Sequence, residues 1–141
     1  MKSVEAGTEL PPLTITVRRE DLVRYAGASG DFNPIHWSDR MAAALGLPGV
    51  IAHGMLTMAN AARVVTDWLD DPADLVEYGV RFTKFVVVPD DDKGATVTFS
   101  AKVDKLTDDK VTGGGLAEID ITAFAGEEKV LGRARAVVRV A

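Results

Sequence analysis

Asp31 and His36 stand five residues apart in segment 29–36, which also contains Gly30 and Pro34. Such a spacing puts two side chains on different faces of a helix and on opposite faces of a strand. The two can converge only if the chain between them bends, and the glycine and the proline both favour a bend. A carboxylate and an imidazole that converge can hold a water molecule and transfer its protons. Asp31 and His36 are therefore a candidate acid/base pair.

The same segment also has a purely structural interpretation. Asp, Asn and Pro are common in turns, so Asp31 could cap a turn that Asn33-Pro34 shapes. His36 could then be a buried histidine whose nitrogens are satisfied by neighbouring groups. The residues alone leave both interpretations open.

The segment Ala52-His53-Gly54-Met55 precedes a long apolar pattern of helical spacing. A helix N-terminus offers free backbone N–H groups and the positive end of the helix dipole. Gly54 has no side chain to block the approach of a ligand, so a carbonyl could accept a hydrogen bond there and a developing oxyanion would be stabilised. A plain helix start with a glycine for tight packing is the alternative.

The elements that must position these residues follow from the spacing of apolar side chains. Helical spacing indicates helices at 19–28, 38–45 and 54–69, with Ser38 as the N-cap of the second. The third is apolar on most of its circumference, which predicts burial. Small residues at 132, 134 and 136 would let a helix lie close to a strand.

Alternation of apolar and polar residues predicts the strands. It is weak at 13–17 and clear at 76–82, 96–103, 117–123 and 130–139, with a bend near Lys84. Half-buried antiparallel strands fit this pattern. The simplest packing is an α+β fold in which an antiparallel sheet curls around the long helix.

Composition narrows the class of protein. The 141 residues suit one domain, 1–141, and a net charge of −5 argues against binding nucleic acid through the whole surface. The absence of cysteine excludes a thiolate nucleophile and favours the cytoplasm. Residues 1–7 lack the apolar core of a signal peptide, and no apolar run is long enough to span a bilayer. The two histidines form no familiar metal motif, and no glycine-rich nucleotide motif is present.

Taken together, residues 25–36, with Asp31, Asn33-Pro34 and His36, resemble the signature of the MaoC-like, (R)-specific enoyl thioester hydratase family. Residues 52–55 resemble the helix start of that family, and the likeness continues through 81–85 and the strands. Within the family, the chain is most similar to the catalytic B-type subunits of the actinobacterial (3R)-hydroxyacyl-ACP dehydratases. Residues 88–94 support that variant and depart from the Pro-Val-x-Pro-Gly-Asp pattern of many other relatives.

The resemblance implies a hot-dog fold, in which an antiparallel sheet wraps a long central helix and two such units pair. It implies that Asp31 and His36 hold the catalytic water and shuttle protons. Asn33 and His53 would support the loop or the ligand, and the Gly54 N–H would polarise a thioester carbonyl. The implied reaction interconverts trans-2-enoyl and (3R)-3-hydroxyacyl thioesters of coenzyme A or acyl carrier protein, with no metal or redox cofactor.

Two other functions remain open, a hot-dog thioesterase and a non-catalytic subunit that only binds acyl chains. The latter would be expected to lack the Asp or the His, and both are present here. The partner could be a second copy of the chain or a paralogous hot-dog subunit. Five basic residues could contact carrier phosphates or be solvated charges on strand faces: Arg81, Lys84, Arg133, Arg135 and Arg139.

Overall fold

The computed structural model describes residues 3–111 and 113–141, so Met1, Lys2 and Thr112 lie outside the described residues. Its strands are β1 (Glu9–Val17), β2 (Leu75–Phe82), β3 (Ala95–Asp108), β4 (Gly115–Ala125), β5 (Glu128–Lys129) and β6 (Leu131–Val140). The α-helices are α1 (Arg19–Ser29), α2 (Asp39–Ala44) and α3 (Gly54–Thr66), and short 3-10 helices cover Pro34–His36 and Pro72–Asp74.

The strands form one open antiparallel sheet in the order β1-β3-β4-β6-β2, and β5 pairs with β4. The period-two alternation predicted β3 correctly: Val97, Phe99, Ala101 and Val103 are buried while the residues between them are exposed. Along β2 it was wrong at both ends, because Val76 and Phe82 are exposed. The short strand β5 was not predicted, because two residues carry no detectable periodicity.

Helix α3 packs against β1, β2, β3 and β6, which confirms the α+β arrangement of an antiparallel sheet around a long helix. Its inward face carries Thr57, Ala61, Val64 and Val65. Most of the helix is buried or half-buried, as predicted, but one stripe at positions 55, 59 and 63 is exposed, and Met55 is 58% exposed. The helix also ends at Thr66 rather than at residue 69.

Strand β1 begins at Glu9, four residues before the predicted start. Pro11 and Pro12 hid this part of the strand, because proline cannot donate to a sheet ladder. Both prolines are tolerated because β1 is an edge strand and its register with β3 shifts between Leu10 and Leu13.

The chain leaves the sheet after Phe82, which agrees with the predicted bend near Lys84. The buried side chains of the next segment are Val86 and Val88, whereas the alternation had grouped Phe85 with residue 87. Two hydrogen bonds join segments 50–52 and 86–88. The Ala52 N–H donates to the Val86 carbonyl at 2.8 Å, and the Val88 N–H donates to the carbonyl of residue 50 at 2.9 Å. This pairing holds the chain that leads into α3.

Candidate active site

The loop that carries the predicted acid/base pair begins where α1 ends. Gly30 adopts φ 76°, a left-handed conformation that glycine accepts without strain, and its N–H bonds to the Ala26 carbonyl. The Asp31 N–H donates to Ser29 Oγ at 3.2 Å, and Asp31 Oδ1 accepts the Asn33 N–H at 3.2 Å. These local bonds turn the chain back toward the molecule.

Asn33 shapes the second half of the loop. Its Oδ1 accepts the Ile35 N–H at 3.2 Å and so caps the 3-10 helix Pro34–His36. The Ile35 carbonyl accepts the Ile51 N–H at 3.1 Å, which ties the loop to segment 50–52. The 3-10 helix directs His36 into the interior.

The imidazole of His36 is only 7% exposed and has a defined orientation. Its Nδ1 lies 2.7 Å from the carbonyl of Ile51. Because a carbonyl can only accept, Nδ1 carries the proton and Nε2 has a free lone pair in the neutral ring. Nε2 lies 3.7 Å from Asp31 Oδ2, and the Asp31 side chain is 51% exposed. The pair therefore joins a buried imidazole to a carboxylate that reaches solvent.

His53 is the third member of the cluster that contains Asp31 and His36. It is 1% exposed, and its Nε2 lies 3.1 Å from the main-chain carbonyl of Asp31. Its ring stacks on that of His36 with centroids 3.8 Å apart and an angle of 24° between the planes. Tyr25 meets the other side of His53 edge-on at 4.8 Å. Burial lowers the pKa of His53, a shift that the hydrogen bond to Asp31 partly opposes.

Gly54 is the first residue of α3, so its N–H belongs to the groups that have no partner within the helix. Next to it is a cavity of about 220 Å³. The lining residues are His36, Ile51, Ala52, Gly54, Thr57, Phe82, Lys84, Phe85, Val86 and Val130. The cavity thus brings the predicted base and the predicted oxyanion donor to one space.

Asp31, His36 and His53 also place possible metal-ligating atoms within 4.8 Å of one another. The stacking of the two rings does not suit a shared ion. Nitrogen lone pairs lie in the ring plane, so two nearly parallel rings with centroids 3.8 Å apart cannot both aim a nitrogen at one ion about 2.0 Å away. The cluster fits proton transfer better than metal binding.

The five basic residues singled out in the sequence have different surroundings. Arg135 contacts carboxylates of Asp104, Glu118 and Asp120, and Arg139 donates to the Ala73 carbonyl at 3.2 Å. Lys84 lines the cavity. Arg135 and Arg139 therefore bind groups of the protein itself, and Lys84 is the one of the five that lines the cavity.

Several contributors to the site were not found from the sequence. The Ile51 carbonyl carries no side-chain signal, and Tyr25 and Phe82 looked like ordinary apolar positions of a helix and a strand. Thr57 could have been found, because a residue three positions after Gly54 lies on the same side of a helix.

Comparison with known proteins identifies the family. The model of the MaoC-like domain matches residues 3–119. The chain belongs to the MaoC-like family. Among its relatives is 3-hydroxyacyl-thioester dehydratase X of Mycobacterium tuberculosis, which is 42% identical over 83 residues, or 57% of this chain and 29% of that protein.

Solved MaoC-like structures confirm the hot-dog fold. A MaoC-like dehydratase superposes with a TM-score of 0.88 and 39% identity, over 98% of this chain and 41% of that chain. The (R)-hydratase from A. caviae involved in PHA biosynthesis has a TM-score of 0.82 and 24% identity over all of both chains. The M. tuberculosis HadBC (3R-hydroxyacyl-ACP dehydratase) complex has a TM-score of 0.74 and 20% identity, over 99% of each chain. This chain thus spans less than half of the first two relatives, dehydratase X and the MaoC-like dehydratase.

No helix in the described ranges, 3–111 and 113–141, combines the length and the apolar character needed to cross a membrane.

Proposed function

We propose that the chain interconverts trans-2-enoyl and (3R)-3-hydroxyacyl thioesters by adding and removing water. The observation that carries this proposal is the 3.7 Å separation of His36 Nε2 and Asp31 Oδ2, beside the cavity that Gly54 lines. That separation is too long for a direct hydrogen bond and suits two groups that share one water molecule. Two relatives named as dehydratases support the same class of reaction.

In the direction of hydration, Asp31 Oδ2 accepts one hydrogen of the water and orients it. His36 Nε2 takes the other proton as the water oxygen bonds to C3. The electron pair of the C2–C3 double bond moves toward the thioester carbonyl, whose oxygen becomes an enolate oxygen. The Gly54 N–H, at the positive end of α3, stabilises that charge. The His36 imidazolium then gives its proton to C2, which restores the thioester and the neutral ring.

Asp31→Asn and His36→Ala test the proposal. Each should lower the rate of hydration of a crotonyl-type thioester by about 100- to 10,000-fold, the usual contribution of a general acid or base. Circular dichroism should show an unchanged fold, and Asp92→Asn, an exposed change outside the site, is the matched control. Near-normal turnover in either variant would contradict the assignment.

The hydration assay also distinguishes the two alternative functions if the release of free thiol is measured together with the loss of the conjugated double bond. Thiol release without hydration would indicate a hot-dog thioesterase. Binding of acyl thioesters with neither reaction would indicate a non-catalytic subunit. Coenzyme A and carrier-protein thioesters of several chain lengths, compared side by side, identify the carrier and the acyl group.

We further propose that the chain pairs with a second hot dog. Strand β2 is a sheet edge, and large apolar side chains lie exposed on it and beside the start of α3: Met55, Phe82 and Phe85. Such edges and patches are usually covered by a partner. The HadBC complex is a pair of different subunits. The native mass of the chain expressed alone distinguishes self-pairing from a need for a paralogous subunit, and a strict monomer in the presence of candidate paralogues would contradict pairing.

A cytoplasmic location remains a prediction from the absence of cysteine.

A further inference from the structure

His53 contacts both members of the proposed acid/base pair. Its Nε2 lies 3.1 Å from the Asp31 carbonyl, and its ring stacks on His36 with centroids 3.8 Å apart. At 1% exposure it has no access to substrate through solvent, and it is not among the residues that line the cavity. Its influence on the reaction must therefore pass through its two neighbours.

We infer that His53 is a positioning residue: it remains neutral, holds the main chain of Asp31 through Nε2–H, and supports the His36 ring so that its Nε2 faces the Asp31 carboxylate. The inference deepens the proposed function and rests on it.

The hydrogen bonds determine which nitrogen of His53 carries the proton. The Asp31 carbonyl can only accept, so Nε2 is the protonated nitrogen and Nδ1 has the lone pair. Nδ1 is buried and finds no hydrogen-bond partner in the part of the chain that the structure describes. A proton added there would create a buried donor with nothing to donate to.

The surroundings of His53 favour its neutral form on balance. Burial is the largest influence and lowers the pKa of His53, and the charge of a protonated His36 acts in the same direction. The hydrogen bond to Asp31 and the charge of its carboxylate act in the opposite direction. Tyr25, which packs edge-on against His53, adds no charge when neutral. Two stacked imidazolium rings would repel each other, so a neutral His53 leaves the proton to His36.

The division of roles is directly measurable because the chain has two histidines. In the wild-type protein labelled with nitrogen-15 histidine, the two rings give two sets of signals, and His53→Phe identifies which set belongs to His53. We expect His53 to show the Nε2–H tautomer, to be neutral at neutral pH and to take up a proton only at a lower pH than an ordinary histidine. An Nδ1–H tautomer, or titration near the ordinary pKa, would overturn the inference.

Two variants separate the contacts of His53. His53→Phe keeps a ring against His36 but loses the hydrogen bond, whereas His53→Gln keeps a side-chain N–H donor but loses the ring. We expect each to lower kcat by about 10- to 100-fold with little change in KM, because a displaced acid/base group slows the chemical step. We expect the pH profile of kcat for each variant to keep the shape of the wild-type profile.

If a limb of the wild-type pH profile is missing in both variants, His53 itself transfers protons. If the rate falls only in proportion to the fraction of folded protein, measured by circular dichroism, His53 has a purely structural role. Each of these two results would overturn the inference. The spectroscopic test needs no substrate, so a wild-type protein without hydratase activity would refute the proposed function while leaving the state of His53 measurable.

Discussion

The ring of Phe82 lies so close to Gly54 that a Cβ placed on this glycine would stand 3.0 Å from Phe82 Cε1. The two residues come from the end of an edge strand and the start of the central helix, and both line the same cavity. The ring therefore forms a wall of the space in which the Gly54 N–H would meet a thioester carbonyl. Only glycine leaves that wall undisturbed.

Gly54→Ala should lower activity with little loss of stability. The backbone N–H remains, but the added methyl group forces the Phe82 ring to move, and in the single chain Phe82 is 55% exposed, so its ring can yield. We expect kcat/KM for enoyl thioester hydration to fall by about tenfold or more, because small displacements at a reacting centre are costly. Thermal unfolding should change by only a few degrees.

The double variant Gly54→Ala, Phe82→Leu is the companion test. A smaller side chain at 82 makes room for the methyl group, so part of the lost activity should return. If Gly54→Ala is as active as the wild type, close approach to this N–H is not needed for the reaction.

Asn33→Ala should loosen the 3-10 helix that carries His36. The lost bond is the one between Asn33 Oδ1 and the Ile35 N–H, and the loss of such a cap costs about 1 kcal/mol of unfolding free energy. Asn33→Ser, which can also cap, should keep more of both stability and activity. Urea denaturation and hydration rates measured on the same samples check this, and equal behaviour of the two variants would argue against the cap.

Arg19 should stabilise the fold in a pH-dependent way through Asp39. Its guanidinium donates to the Val88 carbonyl at 2.6 Å and to Asp39 Oδ1 at 2.9 Å, which connects α1, α2 and segment 86–88. The hydrogen bond from Arg19 lowers the pKa of Asp39 from its usual 3.8. A carboxyl group whose pKa is lower in the folded state stabilises that state at pH values above its usual pKa. This stabilisation is lost as the pH falls through the lowered pKa.

The measurement for this pair is chemical denaturation of the wild type and Asp39→Asn at neutral and at acid pH. We expect the wild type to be more stable at neutral pH and the difference in stability to shrink below about pH 4. It should also shrink with added salt, because the Asp39 carboxylate is exposed. Arg19→Ala should be less stable than Asp39→Asn, since it also loses the bond to Val88. A difference that does not depend on pH would contradict this account.

Tyr78 should make the protein sensitive to alkali. Its hydroxyl donates to the Met58 carbonyl at 2.6 Å, and burial raises its pKa from 10.0 to about 12. The neutral Tyr78 hydroxyl therefore stabilises the folded state fully below pH 10.0. This stabilisation is lost as the pH rises toward 12, because Tyr78 ionises at a lower pH in the unfolded chain than in the folded one.

Tyr78→Phe provides the comparison. At neutral pH it should be less stable by about 1 kcal/mol, the usual net contribution of one hydrogen bond. Above pH 10.0 the urea midpoint of the wild type should fall more steeply than that of the variant. Parallel pH curves for the two proteins would show that Tyr78 is not the group responsible.

Most of the sheet could be predicted because its signal is local. Alternating burial repeats every second residue, so β3, β4 and most of β6 were visible in the sequence, and Ala134 and Ala136 are indeed buried. The predicted burial and the predicted bounds of elements were wrong where they depended on contacts with distant parts of the chain. The apolar outer side of α3 gave no indication that Met55 is exposed, and two prolines hid the first residues of the edge strand β1.

In the loop that carries Asp31 and His36, some features also follow from the local sequence and others only from the tertiary structure. Asp31, Asn33 and Ile35 are linked by hydrogen bonds between residues two positions apart, which the order of amino acids determines almost by itself. The sequence also determined which groups could do acid/base chemistry. Only the tertiary structure decided the orientation of His36 by Ile51, the stacking of His53 beneath it, and the wall that Phe82 builds over Gly54. Those contacts join residues far apart in the chain, and they exist only because the packing of the helix against the sheet brings the separate segments to one place.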